Sequence, residues 1–286
     1  MTGDFSVVDK STGEVIDGVK KIYTQQELEN IKKRKKQQAE YEIKRMQIDA
    51  NYKEYGAFVW LLYNYNEVLN LGVPPEMLTK LIYISTFMSY NNRIMISDEN
   101  CMTKEQMQVL LGISDMTFWR FCDTVFKADL MHEKDDAFYM SDKIFERGII
   151  KTFDKARTRL YIKGIRHVYH KAKVTEHKLL SYLFQAIPFV STDFNILCFN
   201  PEETDMKKIK PMKLADYCEK IDYSIENARR LKTVLKKLKV SDEPVFSFIE
   251  NADGTFVYIN PCIFYAGNKW EQVKILGEFK NKNDYQ

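Results

Sequence analysis

Most of the signatures by which an enzyme declares itself are missing from this chain. It has no GxxxxGK followed by Ser or Thr, no GxGxxG after a strand, no HExxH and no GxSxG. That leaves no phosphate loop, dinucleotide site, zincin helix or nucleophile elbow to build on. Histidine is scarce, and among its four residues His167, His170 and His177 form the only cluster. No Asp, Glu or Cys completes a metal set with them, so they read as histidines on a basic segment. Tyrosine is abundant, yet no H-x-H occurs, so the metal pair that a rolling-circle nuclease sets beside its nucleophilic tyrosine is absent. The expectation is a protein without catalysis, metal or cofactor.

Five cysteines (101, 122, 198, 218, 262) stand singly, with no C-x-x-C, which fits buried thiols in a reducing cytoplasm better than disulfides or structural zinc. No secretory leader pattern opens the sequence. The greasiest run, FVWLLY at 58–63, is far short of the roughly 20 residues a membrane helix needs. A cytoplasmic location without membrane contact is expected.

What is present is a chain of 286 residues, 45% apolar, with 18 Phe and 17 Tyr, enough for two ordinary domains with substantial cores. The net charge of +3 is unevenly spread: residues 93–148 hold seven Lys/Arg against eleven Asp/Glu, and residues 207–239 hold eleven against four. Segregation of this kind prepares one face for a polyanion and another for something else.

The basic excess centres on residues 223–239, YSIENARRLKTVLKKLK. At 100° per residue, Ala228, Leu231, Leu235 and Leu238 gather on one side, with Ile225 at its edge, while Glu226, Arg229, Arg230, Thr233, Lys236 and Lys237 face away. Ser224 is positioned as N-cap. A shorter helix over 212–221 precedes this one. Two apolar or alternating runs, 245–249 and 256–260, follow it around an Asp253-Gly254 turn. Helix, helix, hairpin is the order of a winged helix-turn-helix.

The same order occurs earlier. A small hairpin over 4–18 leads to a helix from the Thr24–Glu27 capping box to about 52, whose Lys32-Lys33-Arg34-Lys35-Lys36 run suits either an arm laid along phosphates or, the reading preferred, a simply solvated face. An aromatic stretch over 56–71 and an apolar helix over 76–90, with Pro75 near its first turn, come next. After a strand over 93–96, Thr103–Gln106 forms a second capping box opening a helix to 111. Ser114 caps a helix over 115–128, and a hairpin turns at 134–136. Tyr139, Ile144-Phe145 and Gly148 then share the spacing of Tyr258, Ile263-Phe264 and Gly267. The spacing and the element order together predict an internal duplication. The fold expected is mainly α with small β-hairpins (α+β), as two tandem winged helix-turn-helix domains. Residues 1–55 form an N-terminal hairpin and arm, 56–150 the first winged domain, 151–178 a basic connector, 179–277 the second winged domain (a helix over 176–187, then a strand over 193–199), and 278–286 a frayed tail.

The two second helices differ. On 115–127 the outward residues are Met116, Arg120, Asp123, Thr124 and Lys127, and the following hairpin adds Glu133, Asp135 and Asp136, a poor surface for phosphate. Trp119 and Phe126 project to one flank as a core or protein contact, with a homodimer as one form. On 223–239, Arg229 and Arg230 stand where base edges are reached, and each can bond guanine O6 and N7 bidentately. Thr233 suits a thymine methyl. Glu226 suits a cytosine amino group, or repels phosphate and sharpens register. Lys236 and Lys237, with Lys213 and with Arg166 and Lys171 of the connector, suit phosphate. The second hairpin has no cation of its own.

The Tyr-Ile-Asn-Pro-Cys-Ile-Phe-Tyr-Ala-Gly at 258–267 resembles the end of the wing in Firmicute plasmid replication proteins of the RepL kind. The Thr-Lys-Glu-Gln, Leu-Leu-Gly-Ile-Ser and Thr-Phe-Trp-Arg-Phe cadence within 102–130 is similar to helix-turn-helix segments of that family and of related phage proteins. The likeness covers the two winged segments and not the first ninety residues, and the acidic first hairpin departs from a DNA-contacting wing. It implies a replication initiator that marks or melts a double-stranded origin and recruits host replication proteins. A winged-helix transcriptional regulator on an operator is the alternative, and a protein-interaction module without DNA binding the second.

Overall fold

The computed structural model describes residues 5–19, 23–69, 71–148, 154–252 and 254–279. It divides into two compact units, Met1–Ala50 and Asn51–Gln286. The class is α+β, with helices and small antiparallel sheets.

In the first unit, β1 (Phe5–Val8) and β2 (Val15–Val19) form the expected hairpin. Helix α1 (Gln25–Tyr55) follows, its last turn belonging to the second unit. Its first turn is capped reciprocally: the Thr24 N–H donates to Glu27 Oε2 at 2.8 Å, and the Glu27 N–H donates to Thr24 Oγ1 at 3.2 Å. Lys32, Lys33, Arg34, Lys35 and Lys36 are all exposed.

In the second unit the order is β3 (Phe58–Tyr63), α2 (Pro75–Ser85), α3 (Lys104–Leu111), α4 (Asp115–Lys127), β4 (Met131–Lys134), β5 (Ala137–Met140) and β6 (Phe145–Glu146). A similar series follows, with one helix inserted: β7 (Ala156–Tyr161), α5 (Ile162–Lys171), α6 (His177–Gln185), α7 (Leu214–Lys220) and α8 (Ala228–Leu235). Two-residue strands β8 (Lys239–Val240) and β9 (Glu243–Pro244) lead to β10 (Phe246–Asn251), β11 (Gly254–Ile259), β12 (Phe264–Tyr265) and a closing helix α9 (Trp270–Leu276).

The repeated Ile-Phe motif has a structural job. β3 and β7 pair antiparallel from Phe58↔Tyr161 to Tyr63↔Ala156, in a sheet ordered β12-β7-β3-β6. Phe145 pairs with Leu61 on one side and Phe264 with Leu160 on the other. All four side chains are buried. Two asparagines repeat the pattern. Asn92 and Asn195 both adopt left-handed backbone, φ 64° and 50°, which asparagine tolerates better than most residues. The Asn92 amide donates to the carbonyls of Met140 and Phe145. The Asn195 amide donates to those of Ile259 and Phe264, the matching positions. One hydrophobic core runs through both series, and Thr79 Oγ1 of α2 donates to the His177 carbonyl of α6 at 3.0 Å.

Several expectations change. Segments 93–96 and 193–199 make isolated bridges rather than strands. The long basic helix is a 3-10 turn over Ile225–Asn227 followed by α8, and it ends at Leu235, short of residue 239. Neither Ser224 nor Ser114 makes a side-chain cap bond, whereas the Thr103–Gln106 box forms in both directions. The hairpin at Asp135-Asp136 turns through two positive φ values, 51° and 55°, matching the strands' twist. The second hairpin pairs out to Asn251↔Gly254, so Gly254 closes the ladder instead of sitting inside the turn; Asp253 lies outside the described residues.

The basic segment 151–178 contributes a central strand and a packed helix, with 151–153 outside the described residues. Arg159 on β7 is buried, its Nη1 donating to the carbonyls of Tyr265, Ala266 and Gly267 and its Nη2 to Asn268 Oδ1. Residues 280–286 of the expected tail also lie outside the described residues.

Candidate nucleic-acid interface

Helix α8 buries Leu231 and Leu235 and half-buries Ala228. That pins one side of the helix to the core, because large apolar side chains on one stripe leave water together. The next positions around the cylinder must then face out. Glu226, Arg229, Arg230, Thr233, Lys236 and Lys237 are all exposed. Among the described residues Arg229, Arg230, Lys236 and Lys237 are in no ion pair. Thr233 Oγ1 donates to the Arg229 carbonyl at 2.9 Å, which occupies its hydroxyl and leaves the methyl as its outward group.

Lysines from other elements join this face. Lys171 of α5 lines a pocket of about 120 Å³ with Lys237 and Lys239, over Val168, Leu179 and Leu238. Lys213, exposed at the start of α7, runs its stem along the second hairpin: its Cδ would stand 3.1 Å from a Cβ placed on Gly254. A hairpin without a cation of its own thus has one beside it.

Arg166 is a correction. Its Nε donates to Thr86 Oγ1 at 3.0 Å and its Nη2 to the Thr86 carbonyl at 2.9 Å. The guanidinium lies 3.7 Å from the Phe87 ring centre, and burial lowers its pKa. It fastens α5 to the end of α2 and is not free for phosphate.

The corresponding surface on α3 and α4 is different in kind. Two of its lysines are held by carboxylates, Lys104 by Glu133 at 3.0 Å and Lys127 by Asp123 at 2.9 Å. Arg120 reaches Met116 Sδ and, among the described residues, no carboxylate. A groove of about 500 Å³ opens between the helices over Phe118 and Cys122. Trp119 and Phe126 both line it, but unequally. Trp119 is 67% exposed, whereas Phe126 is half-buried and stacked on Phe138 of the hairpin. Phe126 is therefore largely a core contact.

The histidines go to separate partners. His167 Nε2 accepts from the Ser241 N–H at 3.0 Å, and His170 Nε2 lies 3.1 Å from the Tyr83 hydroxyl. His177 is buried against Tyr169. Among the described residues no group of three or more His, Cys, Asp or Glu is placed to hold a metal ion, and no helix is long and apolar enough to cross a membrane.

Lys232 was not legible as part of this surface. It falls on the flank between the apolar and basic stripes, and its partner Glu250 lies on β10. Only the docking of hairpin on helix brings the two together. Comparison of the chain with protein-family models, curated proteins and solved structures finds no match.

Proposed function

We propose that this chain binds double-stranded DNA sequence-specifically through α8, as the second of two tandem winged helices, and serves as a plasmid or phage replication initiation protein in the cytoplasm. One observation carries the reading: Arg229 and Arg230 stand exposed at the start of a helix whose opposite side is buried, with no ion pair among the described residues. Their positions suit base edges, while Lys236, Lys237, Lys171 and Lys213 suit phosphate. The α3–α4 groove with Trp119 on its rim takes a protein contact instead, with a host replication protein or a second copy, because its lysines Lys104 and Lys127 are held by carboxylates and its rim is apolar.

In vitro site selection followed by binding assays tests this. Arg229→Ala with Arg230→Ala abolishes preference for the selected site, each good guanine contact being worth about 1–3 kcal/mol. Lys236→Gln with Lys237→Gln weakens binding to every duplex and flattens log K against log[salt] by about 0.9 per lost phosphate contact. Unchanged affinity and preference in the arginine variant overturn the assignment. Iterated selected sites near the reading frame favour initiation, and a palindrome over a promoter favours regulation.

A further inference from the structure

We propose that Lys232 and Lys236, set over the ring of Phe248, form a phosphate seat at the junction of α8 and the second hairpin, and that the Glu250 carboxylate fills it until duplex DNA displaces it. This rests on the reading that α8 faces DNA, and adds a site and a built-in competitor to it.

The seat is made by packing. The Lys232 and Lys236 ammonium groups lie 5.5 and 5.9 Å from the centre of the Phe248 ring, whose negative face favours cations. The Lys232 side chain is only 17% exposed, while that of Glu250, its ion-pair partner, is 65% exposed. The two partners are therefore not equally free. The lysine stem is held between helix and hairpin, and the carboxylate can swing into water. Burial and the neighbouring Lys236 both lower the Lys232 pKa, as two ammonium groups sharing a corner require. Such a corner calls for an anion. Glu250 pairs with Lys232, and Lys236 has no ion pair among the described residues, so the second cation of the corner is left for an anion to meet.

Exchange for a phosphodiester is inexpensive. An ion pair whose carboxylate is exposed to water is held weakly, and a phosphate taken from a duplex also releases condensed counterions. Because every duplex must displace the carboxylate, Glu250 lowers affinity for all sequences alike. The effect is to weaken binding to every duplex by the same factor, leaving the base contacts of Arg229 and Arg230, and with them the sequence preference, unchanged.

The test uses the full chain and two fluorescent duplexes, the selected site and a scrambled one, titrated by anisotropy across a salt series. Lys232→Met makes the slope of log K against log[salt] shallower by about 0.9, one phosphate, and Lys232→Arg restores it. Glu250→Gln tightens both duplexes alike, by about two- to fivefold, and the gain disappears when combined with Lys232→Met. A slope in Lys232→Met equal to that of the unsubstituted chain, or a Glu250→Gln gain that survives the loss of Lys232, overturns the seat. Arg229→Ala with Arg230→Ala runs in parallel. If that variant loses sequence preference while Lys232→Met keeps the full slope, only the seat falls. If it binds both duplexes as the unsubstituted chain does, the DNA reading falls and takes the seat with it.

Discussion

Arg159 and His177 both place a titratable group inside the protein, and they do so differently. Arg159 keeps its charge, distributing its donors over three carbonyls and Asn268, with Trp60 beneath it at 5.0 Å. His177 is better accommodated neutral. Its ring is buried beside Tyr169 at 4.3 Å, its Nδ1 has no hydrogen-bond partner among the described residues, and burial with the nearby Lys80 pushes its pKa down to about 4. A depressed histidine makes the unfolded chain bind more protons between that value and the ordinary 6.5, so stability is full above pH 6.5 and falls as the pH drops. Urea denaturation at pH 6.5 and pH 5 is expected to differ by up to about 2 kcal/mol, at about 1.4 kcal/mol per pH unit. In His177→Phe most of that difference should vanish; an unchanged pH dependence would refute the assignment.

At the scale of elements, the close approach of α5 to the turn before β12 depends on a missing side chain. A Cβ on Gly164 would meet the Cys262 carbonyl oxygen at 2.1 Å, and the atoms around it are backbone, which cannot swing aside. Gly164→Ala should therefore cost about 1–3 kcal/mol, as overpacking does, despite alanine's better helix propensity. A melting temperature unchanged or raised would mean that α5 can slide away from β12. Capping decides another element. The Thr103–Gln106 box is complete in both directions, while Ser114 and Ser224 leave their helix starts without a side-chain bond. A serine before a helix is a permissive signal only, since its hydroxyl has other acceptors within reach; that of Ser114 lies 3.0 Å from Thr117 Oγ1.

At the scale of the second unit, neither series completes its own sheet. β3 takes β6 on one edge and β7 on the other, and β7 takes β12. Separated at the 149–153 segment, each half would expose one edge of its central strand together with the apolar face around it, and such an edge invites aggregation. Residues 1–148 and 154–286 expressed apart should be insoluble or molten by circular dichroism and gel filtration. Co-expressed, they should elute as one complex. Two halves that each fold alone and fail to associate would show that each series is an independent domain.

The sequence by itself determined what depends on near neighbours. The period of Leu231 and Leu235 set which side of α8 is buried, and the Thr103 and Thr24 boxes marked helix starts. These signals are legible because the interacting residues lie within a few positions of one another. The tertiary structure alone decided which cations stay available. Arg166 meets Thr86 80 positions away, Arg159 meets Gly267 at 108, and Lys232 meets Glu250 at 18, across the helix–hairpin junction. A lysine or arginine in a sequence carries the same charge wherever it falls; whether a solvent-facing anion or the chain's own carbonyl claims it is settled only when distant segments close upon each other.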